Sequence, residues 1–171
     1  MNFRKNIIPA LEPYFEKDEK LFLLYGDMGF GGVESLQEKY SDRVLNCGIM
    51  EQGMVGIAAG MAMAGWKPIV YTMCNFLCYR ALEQIRNDVM LQNLNVKFIG
   101  TGANDHFSFL GKSHTCDDDD IEILQMIGLK TFDTYRLGYH GGRWYNYLSI
   151  ITFNHDFFEW ILSDKAGYIR V

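Results

Sequence analysis

Short apolar segments alternate with segments of helical length or spacing along almost the whole chain. Two of the apolar segments, 21–25 and 44–47, are followed directly by a glycine. Short apolar runs bounded by turn residues are typical of strands that are buried on both faces of a sheet. We predict six strands, at 21–25, 44–47, 68–73, 96–100, 130–133 and 168–171. We predict helices at 4–17, 34–40, 51–64, 76–93, 118–127 and 154–163.

Strands that alternate with helices predict βαβ units and a parallel sheet. We therefore predict an α/β fold, a three-layer αβα sandwich around a mostly parallel six-stranded sheet. A chain of 171 residues has the usual length of one domain, so we expect residues 1–171 to form a single domain. Ligands bind at the carboxyl ends of the strands in such sheets. The candidate positions for a site are therefore the loops 26–34, 47–51, 72–76 and 101–117.

The charge balance argues against nucleic acids and anionic membranes as partners. The chain has 16 Lys and Arg against 21 Asp and Glu, a formal net charge of -5, and no obviously basic segment. The longest apolar stretch, 54–66, is shorter than the roughly 20 residues of a membrane-spanning helix. The N-terminal residues contain no apolar run of signal-peptide length. We expect a cytoplasmic protein.

The four cysteines fit the same expectation. They form no paired C-x-x-C knuckles, so we expect reduced thiols, some of them buried, rather than a zinc site. The four residues are Cys47, Cys74, Cys78 and Cys116.

Segment 47–65 is the most specific part of the sequence. It reads Cys-Gly-Ile-Met-Glu-Gln-Gly-Met-Val-Gly-Ile-Ala-Ala-Gly-Met-Ala-Met-Ala-Gly. This segment resembles the signature of the pyrimidine-binding domain of transketolase-like thiamine diphosphate enzymes, whose pattern reads G-I-x-E-Q-x-M-x-G-x-A-A-G-x-A. Further segments resemble the same family in the same order, namely 75–88, 92–103, 111–114 and 167–170. The resemblance covers about residues 20–171.

Glu51 is the first candidate for chemistry. It follows a predicted strand and a glycine and begins a helix whose next turns carry almost only small or apolar residues. A lone carboxyl in such a place is costly unless it is paired or protonated. The resemblance implies that this glutamate is catalytic: it hydrogen-bonds the aminopyrimidine ring of thiamine diphosphate and promotes the imino tautomer that activates the cofactor. The alternative is an acid that only stabilises the helix N-terminus.

The resemblance implies further residues around the pyrimidine ring. Phe76 matches an aromatic residue that stacks on the ring, which contributes about 0.5–1.5 kcal/mol beyond the buried area. Tyr79 and Arg80 are candidates for the same wall of the site, and Asp27 matches an acid near the cofactor and the subunit interface. For Phe76 the alternative is an ordinary position in the core.

Two histidines are candidates for the substrate side. His114 matches a histidine that contacts the sugar substrate, and imidazole can donate to hydroxyls and transfer protons near neutral pH. We therefore predict that His114 is catalytic and binds substrate. His106 has no clear family counterpart, so a position in the same pocket and an ordinary surface position both remain open. Departures from the family pattern at Met50, Gly53 and 104–110 lie near the substrate side and leave the substrate's identity open.

The predicted helix 51–64 carries three glycines, each of which costs about 0.5–1 kcal/mol in a helix. They are Gly53, Gly56 and Gly60. Together with Ala59 and Ala64 they leave two helix faces nearly bare, which indicates close packing against a neighbour. The resemblance implies that the neighbour is another subunit, near the cofactor. Close packing inside the domain is the alternative.

The resemblance implies that this chain carries half of a cofactor site. In the family, G-D-G and a downstream asparagine of a separate domain hold the diphosphate through a divalent cation. No Gly-Asp-Gly occurs in this sequence. We therefore expect a split enzyme, in which Mg²⁺ (or Ca²⁺) is bound by a separate diphosphate-binding subunit that completes the active site and forms a heterotetramer with this chain.

The expected activity is that of a transketolase: transfer of a two-carbon ketol unit from a ketose, a sugar or sugar phosphate, to an aldehyde, or a related carboligation. The segment Thr101-Gly102-Ala103 favours this reaction. One alternative is another thiamine diphosphate reaction, such as that of a deoxyxylulose phosphate synthase or a 2-oxoacid decarboxylase. The other alternative is a non-catalytic domain that only binds a partner.

Overall fold

The computed structural model describes residues 3–28, 32–133, 137–140, 143–146 and 159–171. The strands in these residues are β1 (Leu21–Tyr25), β2 (Val44–Asn46), β3 (Lys67–Met73), β4 (Lys97–Thr101), β5 (Thr131–Asp133), β6 (Leu137–His140), β7 (Arg143–Asn146) and β8 (Gly167–Arg170). The helices are α1 (Phe3–Asn6), α2 (Glu12–Lys17), α3 (Glu34–Lys39), α4 (Glu51–Met63), α5 after β3, α6 (Asp119–Met126) and α7 at residues 159–162. We use α5 for the π-helical turns Phe76–Arg80 and Ile85–Met90 together with the α-helical turn Leu82–Gln84 between them.

Six strands form one parallel sheet in the order β2-β1-β3-β4-β8-β5. Tyr25 of β1 pairs with Tyr71 of β3, and Met73 of β3 pairs with Thr101 of β4. The carboxyl ends of these three central strands therefore lie at the same edge of the sheet. The α/β prediction is confirmed, and the sheet is parallel throughout. Strands β6 and β7 pair with each other as a separate antiparallel hairpin.

Helices cover both faces of the sheet. Successive strand residues point to opposite faces, so Val70 of β3 packs with α4, α5 and α6, while its neighbour Ile69 packs with α2, α3 and α7. Both residues are completely buried. This double burial explains why the strands appear in the sequence as continuous apolar runs rather than as alternating patterns.

The predicted strands are confirmed to within one residue at each end, whereas some of the predicted helices are wrong in their extent. The predicted helix 4–17 is interrupted by a 3₁₀ turn, Pro9–Leu11, because a proline lacks the N–H of a helix interior. The predicted helix 76–93 is replaced by the irregular α5. The β6–β7 hairpin was not predicted. Part of the predicted helix 154–163, residues 154–158, lies outside the described residues.

Within the described residues, each helix is too short or too polar to cross a lipid bilayer.

Candidate functional site

A cavity of about 500 Å³ opens at the carboxyl ends of β1 and β3. All four loops that the sequence indicated as candidate positions contribute to its wall. The lining residues are Asp27, Met28, Ile49, Glu51, Thr72, Met73, Phe76, Arg80, Phe107, Leu110, Ser113 and His114. The parallel topology brings these loops together, since each one follows a strand of the same sheet.

Glu51 is the first residue of α4 and is 2% exposed. The Thr72 hydroxyl donates a hydrogen bond to Glu51 Oε1 over 3.3 Å. Arg80 Nη1 donates to Glu51 Oε2 over 2.5 Å. The buried carboxyl is therefore paired on both oxygens, and the positive end of the α4 dipole favours its negative charge.

Phe76 and Arg80 lie at the two ends of the first π-helical turn of α5. The guanidinium carbon of Arg80 lies 4.1 Å from the centroid of the Phe76 ring, a close cation–π contact. The His114 ring meets Phe76 edge to face, with 5.3 Å between ring centroids and 70° between ring planes. Ser113 Oγ lies 2.9 Å from His114 Nδ1. One wall of the cavity therefore combines an aromatic ring, a guanidinium and an imidazole.

Asp27 follows β1 and also lines the cavity. Its Oδ1 accepts a hydrogen bond from Asn46 Nδ2 over 3.2 Å, and its N–H donates to the Gly48 carbonyl oxygen over 3.2 Å. A Cβ atom at the preceding Gly26 would lie 2.9 Å from Thr72 Oγ1. The end of β1 therefore packs directly against the hydroxyl that binds Glu51, and glycine leaves the space for it.

Two of the predicted site residues lie outside the cavity lining. Tyr79 faces a wider groove of about 900 Å³ along α5. Its hydroxyl donates to Asp119, and this hydrogen bond raises the pKa of Tyr79. His106 packs edge to face on Phe107, with 4.8 Å between ring centroids, and Phe107 lines the cavity.

Thr72 and Phe107 line the site although the sequence analysis did not single them out. Thr72 is a hydroxyl residue near the carboxyl end of an apolar strand, which is a signal that could have found it. Phe107 belongs to a loop without a regular pattern, where the sequence holds no comparable signal.

The cysteines are free, as expected, and three of them are buried in the hydrophobic core. The neighbouring thiols of Cys74 and Cys78 lower the pKa of Cys116. Burial is the main cause that raises the pKa of Cys74. In the described part of the chain, no group of three His, Cys, Asp or Glu side chains is arranged to hold a metal ion.

The donor set of the cavity fits the pyrimidine end of thiamine diphosphate. Glu51 offers a buried carboxylate to a ring nitrogen or amino group, and Phe76 offers an aromatic face for stacking. Met73 and Leu110 add apolar wall. The same lining holds two carboxylates, Asp27 and Glu51, which is a poor environment for a diphosphate.

Known proteins resemble the chain in both sequence and fold. Residues 1–128 match the family model "Transketolase, pyrimidine binding domain". An apulose-4-phosphate transketolase subunit of Actinobacillus succinogenes is 38% identical over 91 residues, 53% of this chain and 29% of the relative. The "1-deoxy-D-xylulose-5-phosphate synthase" of Clostridium beijerinckii is 35% identical over 129 residues, 74% of this chain and 20% of the relative. The chain thus spans less than a third of the length of either relative.

A solved structure shares the fold. The structure described as "Split gene transketolase, inactive beta4 tetramer" superposes with a TM-score of 0.77 and 24% identity. The match covers 98% of this chain and 49% of that one. At this identity the structural likeness establishes only the fold. The family model, in contrast, matches most of the chain, including the segment 47–65. The chain therefore belongs to the family of transketolase pyrimidine-binding domains.

Proposed function

We propose that this chain supplies the pyrimidine half of a thiamine diphosphate site in a transketolase-like enzyme. The enzyme transfers a two-carbon ketol unit from a ketose, a sugar or sugar phosphate, to an aldehyde. The observation that carries the proposal is the buried Glu51 carboxylate, which lines the same cavity as the aromatic ring of Phe76. When bound, thiamine diphosphate supplies the chemistry that breaks and forms the carbon–carbon bond.

The residues of this chain bind and orient the pyrimidine ring. Glu51 exchanges a proton with a ring nitrogen and stays in place because Thr72 holds its Oε1. Phe76 stacks on the ring and excludes water from one of its faces. His114, which packs edge to face with Phe76, donates to a substrate hydroxyl. Asp27 remains a candidate for the edge of the site near a partner.

A diphosphate-binding subunit completes the site in this proposal. The Mg²⁺ or Ca²⁺ ion lies in that partner, and two copies of each protein form a heterotetramer. Apolar residues exposed beside the cavity support a partner, since Ile49 is 75% exposed and Met50 and Ile57 are also exposed. The names of the similar proteins, one of them a transketolase subunit and another a "split gene" transketolase, support it as well.

A second thiamine diphosphate reaction is the alternative activity. The relative described as a deoxyxylulose phosphate synthase matches 74% of this chain, a larger share than the transketolase subunit matches. The two activities differ in the donor, a ketose in one case and a 2-oxoacid in the other. An assay with each donor therefore separates them.

Substitution of Glu51 tests the proposed function. The chain is co-expressed with its diphosphate-binding partner, and ketol transfer is measured for wild type, Glu51→Ala and Glu38→Ala. Glu38 is an exposed acid on α3 and serves as the matched control. We expect Glu51→Ala to lower turnover by about 100-fold or more. The Glu38→Ala complex should match wild type in both its turnover and its thermal midpoint. Full activity of Glu51→Ala would indicate a domain that only binds its partner.

A further inference from the structure

Arg80 places a planar, nitrogen-bearing group between Glu51 and Phe76. Its Nη1 lies 2.5 Å from Glu51 Oε2, and its guanidinium carbon lies 4.1 Å from the centroid of the Phe76 ring. All three residues line the same cavity. The carboxylate and the aromatic face that suit a pyrimidine are therefore both engaged by a side chain of this protein.

The guanidinium makes the same two kinds of contact as an aminopyrimidine. It is planar, donates N–H groups to a carboxylate in its own plane and stacks on aromatic faces. A pyrimidine shares a proton with the carboxyl through a ring nitrogen and stacks by its ring face. Because one face of Phe76 can hold one planar group at a time, the arginine and a pyrimidine stacked on this face compete.

The surroundings of Arg80 provide a place for the displaced side chain. Arg80 lines the 500 Å³ cavity and also the 900 Å³ groove along α5, so it lies at the boundary between the two. Its side chain is 36% exposed, in contrast to the buried Glu51. The exposed carboxylate of Glu83 belongs to the groove and offers a second anionic partner.

We propose that Arg80 is a positioning residue that occupies the pyrimidine position in the free protein and swings into the α5 groove when the cofactor enters. This inference rests on the proposed function. In the free state Arg80 neutralises the buried charge of Glu51, which would otherwise be costly. In the bound state the pyrimidine takes over both contacts. The apparent affinity for the cofactor is then reduced by the fraction of molecules in which Arg80 fills the position.

Calorimetric titration of thiamine diphosphate into the assembled complex, with Mg²⁺ present, tests the competition directly. The variants are Arg80→Met, which keeps an unbranched apolar stem without the charge or plane of the guanidinium, and Arg86→Met as the matched control. Arg86 is an exposed arginine of α5 that lines the groove but not the cavity. We expect Arg80→Met to bind thiamine diphosphate about tenfold more tightly than wild type and Arg86→Met to bind like wild type.

A crystal structure of the complex with and without thiamine diphosphate supplies a second readout that does not depend on activity. We expect the Arg80 guanidinium on Glu51 without the cofactor and in the groove with it. Equal or weaker binding by Arg80→Met, or an Arg80 that stays on Glu51 in the loaded complex, would overturn the competition and leave the proposed function intact. A wild-type complex that binds no thiamine diphosphate would overturn both.

Discussion

The Thr72 hydroxyl donates a hydrogen bond to Glu51 Oε1 over 3.3 Å, and both side chains are buried. Thr101, on the neighbouring strand β4, is buried to the same degree. Among the described residues, no group hydrogen-bonds the Thr101 hydroxyl. Two buried threonines near the ends of adjacent strands therefore differ in hydrogen bonding, because only Thr72 has a charged acceptor among the described residues.

This contrast predicts opposite effects of replacing each hydroxyl with a methyl group. Thr72→Val removes a hydrogen bond to a charged group, so we expect the free energy of unfolding to fall by about 1–2 kcal/mol. Thr101→Val removes an unpaired buried hydroxyl, so we expect equal or greater stability. Urea denaturation of both variants measures the difference, and equal losses in the two would contradict the assigned hydrogen bond.

The ion pair between Arg170 and Asp120 gives a second prediction. Asp120 is completely buried and accepts hydrogen bonds from Arg170 Nη1, over 3.0 Å, and from the Tyr168 hydroxyl. Asp120→Ala leaves the buried guanidinium of Arg170 without its buried carboxylate partner. We therefore expect the free energy of unfolding to fall by about 3–5 kcal/mol. Asp118 also pairs with Arg170 but is 51% exposed, so Asp118→Ala should cost less than about 1 kcal/mol. Chemical denaturation measures both variants. Similar losses of stability would show that the burial of the carboxylate does not determine how much the ion pair contributes.

Replacing glycines of α4 is expected to change the stability of the chain and its affinity for a partner in opposite directions. A Cβ atom at Gly56 or Gly60 would meet no atom within 4 Å, and both residues are exposed. We expect Gly56→Ala and Gly60→Ala each to stabilise the isolated chain by about 0.5–1 kcal/mol. If a partner packs on this face, the double variant should bind that partner about tenfold more weakly. Thermal denaturation and a binding titration measure the two effects, and unchanged partner affinity would place the interface elsewhere.

The sequence was sufficient to predict the sheet because its strands are buried on both faces and end at turn residues. The resemblance to the family, rather than strand topology, indicated Glu51, Phe76, Arg80 and His114 as candidates for one site. They line one cavity because the loops after parallel strands meet at the same edge of the sheet. Their roles remain predictions. The contact between Thr72 and Glu51 depends on how β3 packs against α4, which local sequence patterns do not specify.

The position of Tyr79 shows a limit of local reasoning. The resemblance made Tyr79 and Arg80 both candidates for the same wall as Phe76, and in a regular α-helix residues three and four positions after Phe76 would share its face. The observed turn is π-helical, which changes the angle between successive side chains. Arg80 stacks on Phe76, while Tyr79 reaches Asp119 outside the cavity.

Lys97 predicts a pH dependence of stability. Its ammonium is buried and donates to the carbonyl oxygens of Ser163, over 2.8 Å, and Lys165, over 2.5 Å. Burial lowers the pKa of Lys97 to about 7 from its ordinary value of 10.5. Between these two values the unfolded chain binds the proton and the folded chain does not, so this lysine makes stability increase as the pH rises above 7.

We compare wild type with Lys97→Met, which cannot titrate, so that contributions from other groups cancel. The free energy of unfolding of wild type minus that of the variant should increase by about 2 kcal/mol between pH 7 and pH 9. Below pH 6 the difference should be constant, because the lysine is then protonated in both states. Urea denaturation at several pH values measures the difference. A constant value up to pH 9 would mean that the carbonyl oxygens hold Lys97 in its charged form throughout.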